Sequence, residues 1–540
     1  MDLRRATTLF LSAALTTVIL VACTSERPNA QGSAISDLTF SGLGGSRAPA
    51  ASRLDTSSGN ARSDSGAEGS GRMSPLQAEW AKQIIGKGDG GVGYYALCVD
   101  TRGNIYAAGE VWVGADFGNA VSAEAPSSGE SPLLVKYDAK GNALWASTAA
   151  EAPSQSWFTC LAVDSLGNAY AAGRMDAGTL DFGGGVEITS EYQGQNMVLV
   201  KFDANGKALW ARTVDKPDGE TWVEGIAVDK GGNAYVAEYH RSRTQANFTQ
   251  KAPGFFRTPG DGIAGMIVKF DSSGRALWVG TSTGEEGAAY YNAVAVDGSN
   301  NVYAAGYTAA EGQVSFGNGV SVQGSGYQSA VLVKYSPSGK ALWARTEGEG
   351  GSEFRFVGTD LSGGVYAVGD MGGNWTYDFG NGVTVEGSAG GNPLVVKYDS
   401  NGTPLWARSQ TGGSGRFDYL SAVTYSKNLL LVGSLGMRED EIYDFGNGVV
   451  ADKSILSYRW FVLCYSDLGV AQWIADPVPA VKVGNTKLWS FCSNPLGDVL
   501  FSGTASANDI GMPVDFGNGI MLVPNGKSCR FLTKYARVSR

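Results

Sequence analysis

Acidic and basic residues recur at fixed positions of a repeated segment, and they are the first residues that suggest chemistry. Paired carboxylates can carry general acid–base catalysis, but a catalytic pair is needed once rather than in most copies of a repeat. We therefore expect the aspartates to cap turns and the lysine stems to lie over neighbouring copies. The aspartates are Asp100, Asp164, Asp229, Asp297 and Asp360, and the lysines are Lys136, Lys201, Lys269, Lys334, Lys397 and Lys534.

The chain contains one histidine, His240, which limits the metal and nucleophilic sites it can build. Sites with several imidazole ligands are excluded, no calcium-loop pattern is present, and no Gly-x-Ser-x-Gly segment supports a catalytic triad. The cysteines after Cys23 lack zinc-site spacing. We predict no metal and no other cofactor. We also expect buried thiols, although Cys98 and Cys160 occupy equivalent strands and a disulfide between them is left open.

One copy of the repeat departs from the others around the histidine. Glu238 replaces the glycine that ends the second apolar run elsewhere, and basic and aromatic residues follow in a longer loop. Such a loop on an acidic chain suits an anionic glycan, a peptide or a lipid headgroup; ordinary drift of a surface loop is the alternative. The candidate ligand-binding residues are Glu238, His240, Arg241, Arg243, Phe255, Phe256 and Arg257.

Seven regularly spaced tryptophans mark the copies of one repeated module. The β-strands of this module are the elements that position the residues described above. In the fourth module, residues 292–296, 301–306, 330–335 and 341–345 are β-prone runs separated by Gly, Asn and Pro turns. Each module therefore predicts four antiparallel strands. The tryptophans are Trp80, Trp145, Trp210, Trp278, Trp343, Trp406 and Trp473.

A single four-stranded sheet cannot bury both of its faces, whereas seven such sheets can stack radially. Residues 78–82 are an orphan fourth strand and residues 531–535 an orphan third strand, so that their pairing would remove open sheet edges. We predict an all-β chain that forms a seven-bladed β-propeller of four-stranded antiparallel blades, closed by an N-terminal outer strand. An open solenoid is the alternative.

Two segments carry a resemblance to a known repeat. Residues 162–170 (AVDSLGNAY) and residues 296–306 resemble the bacterial SBBP β-propeller repeat, which is related to NHL repeats. The resemblance covers about residues 78–538 and is weaker in the last two modules, where Tyr425 and Asn494 stand at the aspartate position. It implies a propeller and hardly constrains function. Residues 201–210 are similar to the tryptophan-docking segment of quinone-dependent dehydrogenases, which implies that the tryptophan packs one blade on the next.

The N-terminus predicts export. Arg4 and Arg5 precede an apolar stretch over residues 6–21, as in a secretory signal. Residues 20–23 (LVAC) resemble the bacterial lipobox, which implies cleavage before Cys23 and its lipidation; a plain signal peptide or membrane anchor is the alternative. We predict a lipoprotein signal peptide at residues 1–22, the lipidated cysteine with a flexible Ser/Gly-rich tether at 23–76, and the propeller at 77–540.

The amino-acid composition limits the classes of partner that we expect for this protein. The net charge of −10 argues against nucleic acid. We predict a monomeric, non-enzymatic cell-envelope lipoprotein, held at the membrane by its lipid, whose propeller binds proteins or glycans. In a two-membrane host it would be at the outer membrane, on a face that the sequence leaves open. The alternatives are an envelope-assembly scaffold and a secreted carbohydrate-active enzyme, a lyase or hydrolase. An enzyme would show two carboxylates within ~10 Å of each other at the ring mouth.

Overall fold

The described residues of the computed structural model are all-β. None of them belongs to a helix with the length and apolarity of a membrane span. Cys23 and the whole predicted signal peptide lie outside the described residues. The structure describes residues 76–87, 91–126, 129–153, 155–215, 219–241, 245–248, 256–257, 263–284, 288–308, 311–325, 328–347, 350–360, 362–388, 390–411, 416–425, 428–436, 442–451, 459–475, 486–494, 496–506, 513–524 and 528–538.

The first three modules begin after one N-terminal strand, β1 (Leu76–Gly86). Module 1 contains β2 (Gly91–Val99), β3 (Ile105–Trp112), β4 (Gly114–Asp116), β5 (Ser122–Glu124), β6 (Ser131–Tyr137) and β7 (Ala143–Thr148). Module 2 contains β8 (Ser156–Val163), β9 (Ala169–Met175), β10 (Gly178–Asp181), β11 (Glu187–Ser190), β12 (Asn196–Phe202) and β13 (Ala208–Arg212). Module 3 contains β14 (Val214–Asp215), β15 (Glu220–Val228), β16 (Ala234–Arg241), β17 (Gln245–Phe248), β18 (Phe256–Arg257), β19 (Ile263–Phe270) and β20 (Ala276–Thr281).

The remaining four modules repeat the same order of long strands and short hairpins. Module 4 contains β21 (Thr283–Gly284), β22 (Ala289–Val296), β23 (Val302–Thr308), β24 (Glu311–Ser315), β25 (Ser321–Ser325), β26 (Ser329–Tyr335) and β27 (Ala341–Thr346). Module 5 contains β28 (Ser352–Thr359), β29 (Val365–Gly372), β30 (Thr376–Asp378), β31 (Thr384–Glu386), β32 (Gly391–Tyr398) and β33 (Pro404–Arg408). Module 6 contains β34 (Arg416–Tyr425), β35 (Asn428–Gly436), β36 (Tyr443–Asp444), β37 (Val450–Ala451), β38 (Arg459–Ser466) and β39 (Ala471–Ala475), and module 7 contains β40 (Thr486–Ser493), β41 (Val499–Ser506), β42 (Val514–Asp515), β43 (Met521–Leu522) and β44 (Ser528–Arg537).

The long strands of each module form one antiparallel sheet, which we number by its module. Third strands such as β6, β12 and β26 are buried at every residue, because apolar runs without alternation suit a sheet covered on both faces. The core lies between successive sheets. Tyr235 and Ile267 of sheet 3, for example, pack in one cluster with Val294 and Val333 of sheet 4.

The repeated tryptophans and lysines join each sheet to the next. Nε1 of Trp145 and Nζ of Lys136 both donate to the carbonyl of Ala204, at 3.1 and 3.0 Å, in a turn of the following module. Gly206 of that turn has a φ of 86°, and a Cβ there would lie 2.7 Å from the Trp145 ring. The equivalent indole bond is made by Trp80, Trp210, Trp278, Trp343 and Trp406. These tryptophans and lysines are packing residues.

The repeated aspartates cap turns, as predicted. Oδ1 of Asp164 accepts hydrogen bonds from the backbone N–H of Leu166 and Asn168, at 3.0 and 2.9 Å. Its Oδ2 accepts from Nδ2 of Asn168 at 2.8 Å. Asp100, Asp229, Asp297 and Asp360 accept the same two backbone bonds.

The N-terminal strand supplies the outer strand of sheet 7. β1 pairs antiparallel with β44 from Leu76↔Arg537 to Ile84↔Arg530. The first strand of each sheet contacts the first strand of the next, and β40 contacts β2. Residues from opposite ends of the chain therefore meet at the junction of sheets 7 and 1.

The prediction of uniform four-stranded blades closed into a β-propeller is wrong, because the described residues form thirteen sheets of two to six strands. The physical reason is that the chain remains extended after an outer strand and pairs there with the short hairpin of the next module: β14 directly follows the outer strand β13, and β21 directly follows the outer strand β20. β1 pairs with β4, β14 with β17, and β21 with β24. The sheet that contains β1 therefore has six strands.

The cysteines that the structure places are structural. Cys98, Cys464, Cys492 and Cys529 are buried free thiols. Burial raises the pKa of the Cys529 thiol to about 11, which keeps it protonated at neutral pH. Since Cys98 carries a free thiol, the open question of a Cys98–Cys160 disulfide is answered in the negative.

Candidate active site

Each first strand carries a one-residue β-bulge at the same position, and the bulge residues differ in type from sheet to sheet. Register shifts occur between the neighbours of each bulge residue. A bulge re-aims its side chain out of the regular pleat, and bulges are common next to active sites. The bulge residues are Tyr95, Thr159, Glu224, Asn292, Arg355, Tyr419 and Trp489.

Five residues from the first and last sheets form what we call the aromatic–carboxyl cluster: Tyr95, Glu110, Trp112, Trp489 and Arg530. The Tyr95 hydroxyl donates a hydrogen bond to Oε1 of Glu110. The Tyr95 ring stacks on Trp489, with centroids 5.4 Å apart. The Arg530 guanidinium lies 4.6 Å from the ring centroid of Trp112 and 5.2 Å from that of Trp489. These contacts bring β2, β3, β40 and β44 into one site.

Burial sets the electrostatics of this cluster. It raises the pKa of Glu110 to about 7; the hydrogen bond from Tyr95 and the charge of Arg530 oppose the rise, while Glu130 adds to it. Burial, followed by the nearby Glu110 charge, raises the pKa of Tyr95. Burial lowers the pKa of Arg530, which Glu110 and Tyr95 oppose. The cluster therefore holds a carboxyl that is about half ionised at neutral pH beside a guanidinium.

A further carboxyl, Glu130, influences the aromatic–carboxyl cluster. Glu130, at the start of β6, has a pKa raised first by burial and then by the charge of Asp176, which follows β9. Its charge also acts on Glu110 and Tyr95.

Other charged residues at the bulge level are neutralised by partners. Arg355 forms ion pairs with Glu353 and Asp370, and Arg174 lies 3.6 Å from Glu224. Among the described residues, Nη1 of Arg530 is buried without a hydrogen-bond partner, as is Nε of Arg174. The aromatic–carboxyl cluster differs from the Arg174 site because its guanidinium acts on a buried carboxyl, Glu110, whose pKa is raised to about 7.

Two of the seven sequence-predicted ligand residues have described side chains, and both lie within a strand. Glu238 and His240 are both fully buried within β16, and His240 Nδ1 is 2.9 Å from Oγ1 of Thr221. Burial raises the pKa of Glu238 to about 8. Arg241 ends β16, and Phe256 and Arg257 form β18, but their side chains lie outside the described part of the chain, as do Arg243 and Phe255 entirely. The two predicted residues whose side chains are described are core residues of sheet 3.

Sequence reasoning missed all five residues of the aromatic–carboxyl cluster. The sequence held one signal that could have pointed to this site. At the bulge position of the first strand, the residue type differs from one copy of the repeat to the next, as in Tyr95, Glu224 and Trp489. In the described ranges, no group of three or more His, Cys, Asp or Glu residues is placed to hold a metal ion.

No family model and no curated protein matches the chain. Solved structures with similar folds include a protein of unknown function from Dyadobacter fermentans DSM 18053, at 11% identity and a TM-score of 0.35, covering 86% of this chain and 100% of that one. An apocarotenoid oxygenase variant from Synechocystis matches at 8% identity and a TM-score of 0.34, covering 86% and 98%. The lignostilbene dioxygenase of Pseudomonas brassicacearum matches at 9% identity and a TM-score of 0.37, covering 85% and 93%.

The two neighbours of named activity are enzymes, and on this comparison the prediction of a non-enzymatic binding module is wrong. The comparisons do not transfer a reaction, because identities of 8–9% with TM-scores of 0.34 and 0.37 identify neither substrate nor catalytic residues. The reaction has to be argued from the geometry of the aromatic–carboxyl cluster.

Proposed function

We propose that this protein is an enzyme that removes a proton from the carbon next to a carboxylate of its substrate. The single observation that carries the proposal is the buried Tyr95–Glu110 pair beside Arg530, with the pKa of Glu110 raised to about 7. A general base works best when its pKa lies near the working pH. A guanidinium is the preferred partner of a carboxylate because it can donate two parallel hydrogen bonds.

Each residue of the cluster has a role in this reaction. Arg530 lies against two indole rings, and among the described residues its buried Nη1 has no hydrogen-bond partner. We assign this guanidinium to binding the substrate carboxylate. Glu110 takes the proton: the C–H bond breaks, an O–H bond forms on the carboxyl, and the electron pair delocalises into the substrate carboxylate. Arg530 stabilises the added negative charge. Tyr95 positions Glu110 because its hydroxyl group donates a hydrogen bond to Oε1 of Glu110.

The intermediate has two outcomes with balanced chemistry. Return of the proton from Glu110 to the same face of the carbon regenerates the acid with its configuration retained, and exchange of the Glu110 proton with solvent before the return places a solvent hydrogen on that carbon. Alternatively, the electron pair expels a group from the neighbouring carbon, and the proton leaves with that group. Both outcomes share the first proton transfer, so the test addresses that step.

The experiment is solvent exchange in deuterated water with the full chain. Galacturonic acid, mandelic acid and a mixture of amino acids serve as probes, and proton NMR follows the loss of the signal of the proton next to the carboxylate. We expect exchange of at least one probe, and a decrease of about 100-fold or more in Glu110→Gln. Arg530→Lys should raise KM more than it lowers kcat, because one charge remains but the paired hydrogen bonds are lost.

Asp370→Asn is the matched control, because Asp370 is a carboxylate at the equivalent second-strand position of sheet 5 and pairs with Arg355. It should keep the wild-type exchange rate. The proposal fails if none of the probes exchanges, or if Glu110→Gln exchanges as fast as the wild type.

We also propose that the enzyme is an SBBP-type lipoprotein of the cell envelope, held at a membrane through Cys23. The basic residues Arg4 and Arg5, the apolar stretch of residues 6–21 and the lipobox-like residues 20–23 support this proposal. Two or more acyl chains hold a soluble domain stably at a bilayer. The acid substrate would then be met outside the cytoplasm.

A further inference from the structure

Four aromatic side chains form a continuous series across sheets 3 and 4, which we call the aromatic row: Trp222, Tyr239, Tyr290 and Tyr307. The centroids of Trp222 and Tyr239 are 4.7 Å apart, those of Tyr239 and Tyr290 are 6.5 Å apart, and those of Tyr290 and Tyr307 are 4.8 Å apart. All four rings are half-buried, unlike Tyr235 and Tyr303 of the same sheets, which are fully buried.

The aromatic row lies at the same level of its sheets as Glu110 does in sheet 1. Glu110 stands opposite Gly93 in the strand pair that precedes the bulge. Trp222 stands opposite Tyr239 and Tyr290 opposite Tyr307 at that same place, next to the bulges of sheets 3 and 4. First strands contact one another from sheet to sheet, so the aromatic row occupies in sheets 3 and 4 the place that Gly93 and Glu110 occupy in sheet 1.

Polar groups border the aromatic row as they would border a ligand site. The Arg174 guanidinium lies 5.1 Å from the Trp222 ring centroid, and the bulge residues Glu224 and Asn292 flank the row. Within the described residues, Nε1 of Trp222 is buried and has no hydrogen-bond partner. A buried indole N–H usually has a partner, so an acceptor is missing here.

We propose that the aromatic row is a second substrate subsite that takes a flat ring bearing hydrogen-bond acceptors. The substrate is then an acid with at least two ring units, one at the aromatic–carboxyl cluster and one on the row. The proposal rests on the proposed function for the placement of the first unit. Sugar rings and aromatic rings share the required chemistry, a flat apolar face with polar groups at its edge, and the two sources are separated by experiment.

The test measures binding to Glu110→Gln, so that no turnover interferes, by titration calorimetry. One series compares galacturonic acid with its trimer, and the other compares ferulic acid with a ferulic acid dimer. In one series the longer ligand should bind at least tenfold more tightly than the monomer. Tyr290→Ala and Trp222→Ala, each added to Glu110→Gln, should reduce that gain to less than threefold.

Trp375→Ala is the matched control, because Trp375 is an exposed aromatic residue of module 5 outside the row; it should keep the full gain. The inference is overturned if neither series shows a gain with length, or if the gain survives both Tyr290→Ala and Trp222→Ala. A failure of solvent exchange would overturn the proposed function and leave this binding result standing, so the two failures are distinguishable.

Discussion

Glu110 and Glu238 are both buried carboxyls, but their surroundings differ. Glu110 accepts a hydrogen bond from Tyr95 and lies near Arg530. Neither oxygen of Glu238 has a hydrogen-bond partner among the described residues, and burial is the cause of its raised pKa. A buried carboxyl without a partner resists ionisation because its charge loses the solvation of water. Glu238 therefore makes stability depend on pH.

The pH dependence of stability should weaken in Glu238→Gln. The pKa of Glu238 is raised from 4.5 to about 8 on folding, so the folded state holds a proton that the unfolded state releases between these values. The favourable contribution is complete below pH 4.5 and is lost as pH rises through about 8. Between pH 5 and pH 9, we expect the free energy of unfolding to fall by roughly 3 kcal/mol more in the wild type than in the variant.

Chemical denaturation at several pH values provides the measurement. Glu187→Gln, at an exposed carboxylate of β11, is the control and should follow the wild-type slope. Equal slopes for the wild type and Glu238→Gln would show that Glu238 is ionised in the folded protein.

At the scale of the elements, the turn before each outer strand must accept an indole from the preceding sheet. Gly402 has a φ of 79°, and a Cβ there would lie 2.8 Å from the Trp343 ring. Gly380, in a hairpin turn of the same module, has a φ of 87° and open space around its Cβ position. Both glycines have a left-handed backbone conformation, but only Gly402 lies against a tryptophan ring.

Gly402→Ala should therefore destabilise the protein more than Gly380→Ala. Both substitutions place an L side chain at positive φ, which costs about 1–2 kcal/mol. Gly402→Ala adds an overpacked contact with Trp343, worth ~1–3 kcal/mol more. The free energies of unfolding in urea give the comparison. If the two variants are equally destabilised, the indole moves aside without cost and does not fix the spacing of sheets 4 and 5.

At the scale of the whole molecule, sheet 7 depends on a strand from the other end of the chain. Its lysine, Lys534, bonds Glu79 of β1 at 2.7 Å and Asp498 at 3.0 Å. Equivalent lysines such as Lys397 instead donate to a carbonyl of the next sheet. Asp498 also accepts the backbone N–H of Arg537 at 3.0 Å. The carboxylate of Asp498 thus fastens β44 where β1 joins it.

Asp498→Asn should destabilise the protein by about 1–3 kcal/mol, because it leaves the mostly buried Lys534 with one exposed partner. Glu79→Gln should cost less, about 0–1 kcal/mol, because Glu79 is 44% exposed. The two carboxylates raise the pKa of Lys534 in the folded protein. The stability that these ion pairs contribute is therefore complete below the pKa of lysine in the unfolded chain. It is lost as pH rises through the pKa of Lys534 in the folded protein. Thermal unfolding at pH 7 provides the measurement.

Asp360→Asn in sheet 5 is the control for this prediction, because Lys397 keeps its bond to the carbonyl of Asp467. It should be the milder substitution. If Asp360→Asn lowers the thermal stability more than Asp498→Asn does, the junction of β1 and β44 contributes no more to stability than the equivalent site in module 5.

The repeating strands, the turn-capping aspartates and the docking role of the tryptophans could be predicted from the amino-acid sequence. These features depend on local turn chemistry and on contacts between neighbouring modules. The same residue types therefore recur at the same positions in most copies of the repeat. The glycine that ends most second strands is also determined locally: a Cβ at Gly109 would lie 1.7 Å from the carbonyl oxygen of Gly93.

The division into sheets and the position of the candidate active site could not be predicted from the sequence, because both depend on tertiary contacts. Tyr95 and Glu110 meet Trp489 and Arg530 because β1 pairs with β44 and brings sheet 7 beside sheet 1. The bulges set the direction of these side chains, and burial sets the pKa of Glu110. Neither direction nor burial is encoded by residue type, because both depend on atoms from strands nearly four hundred residues away along the chain.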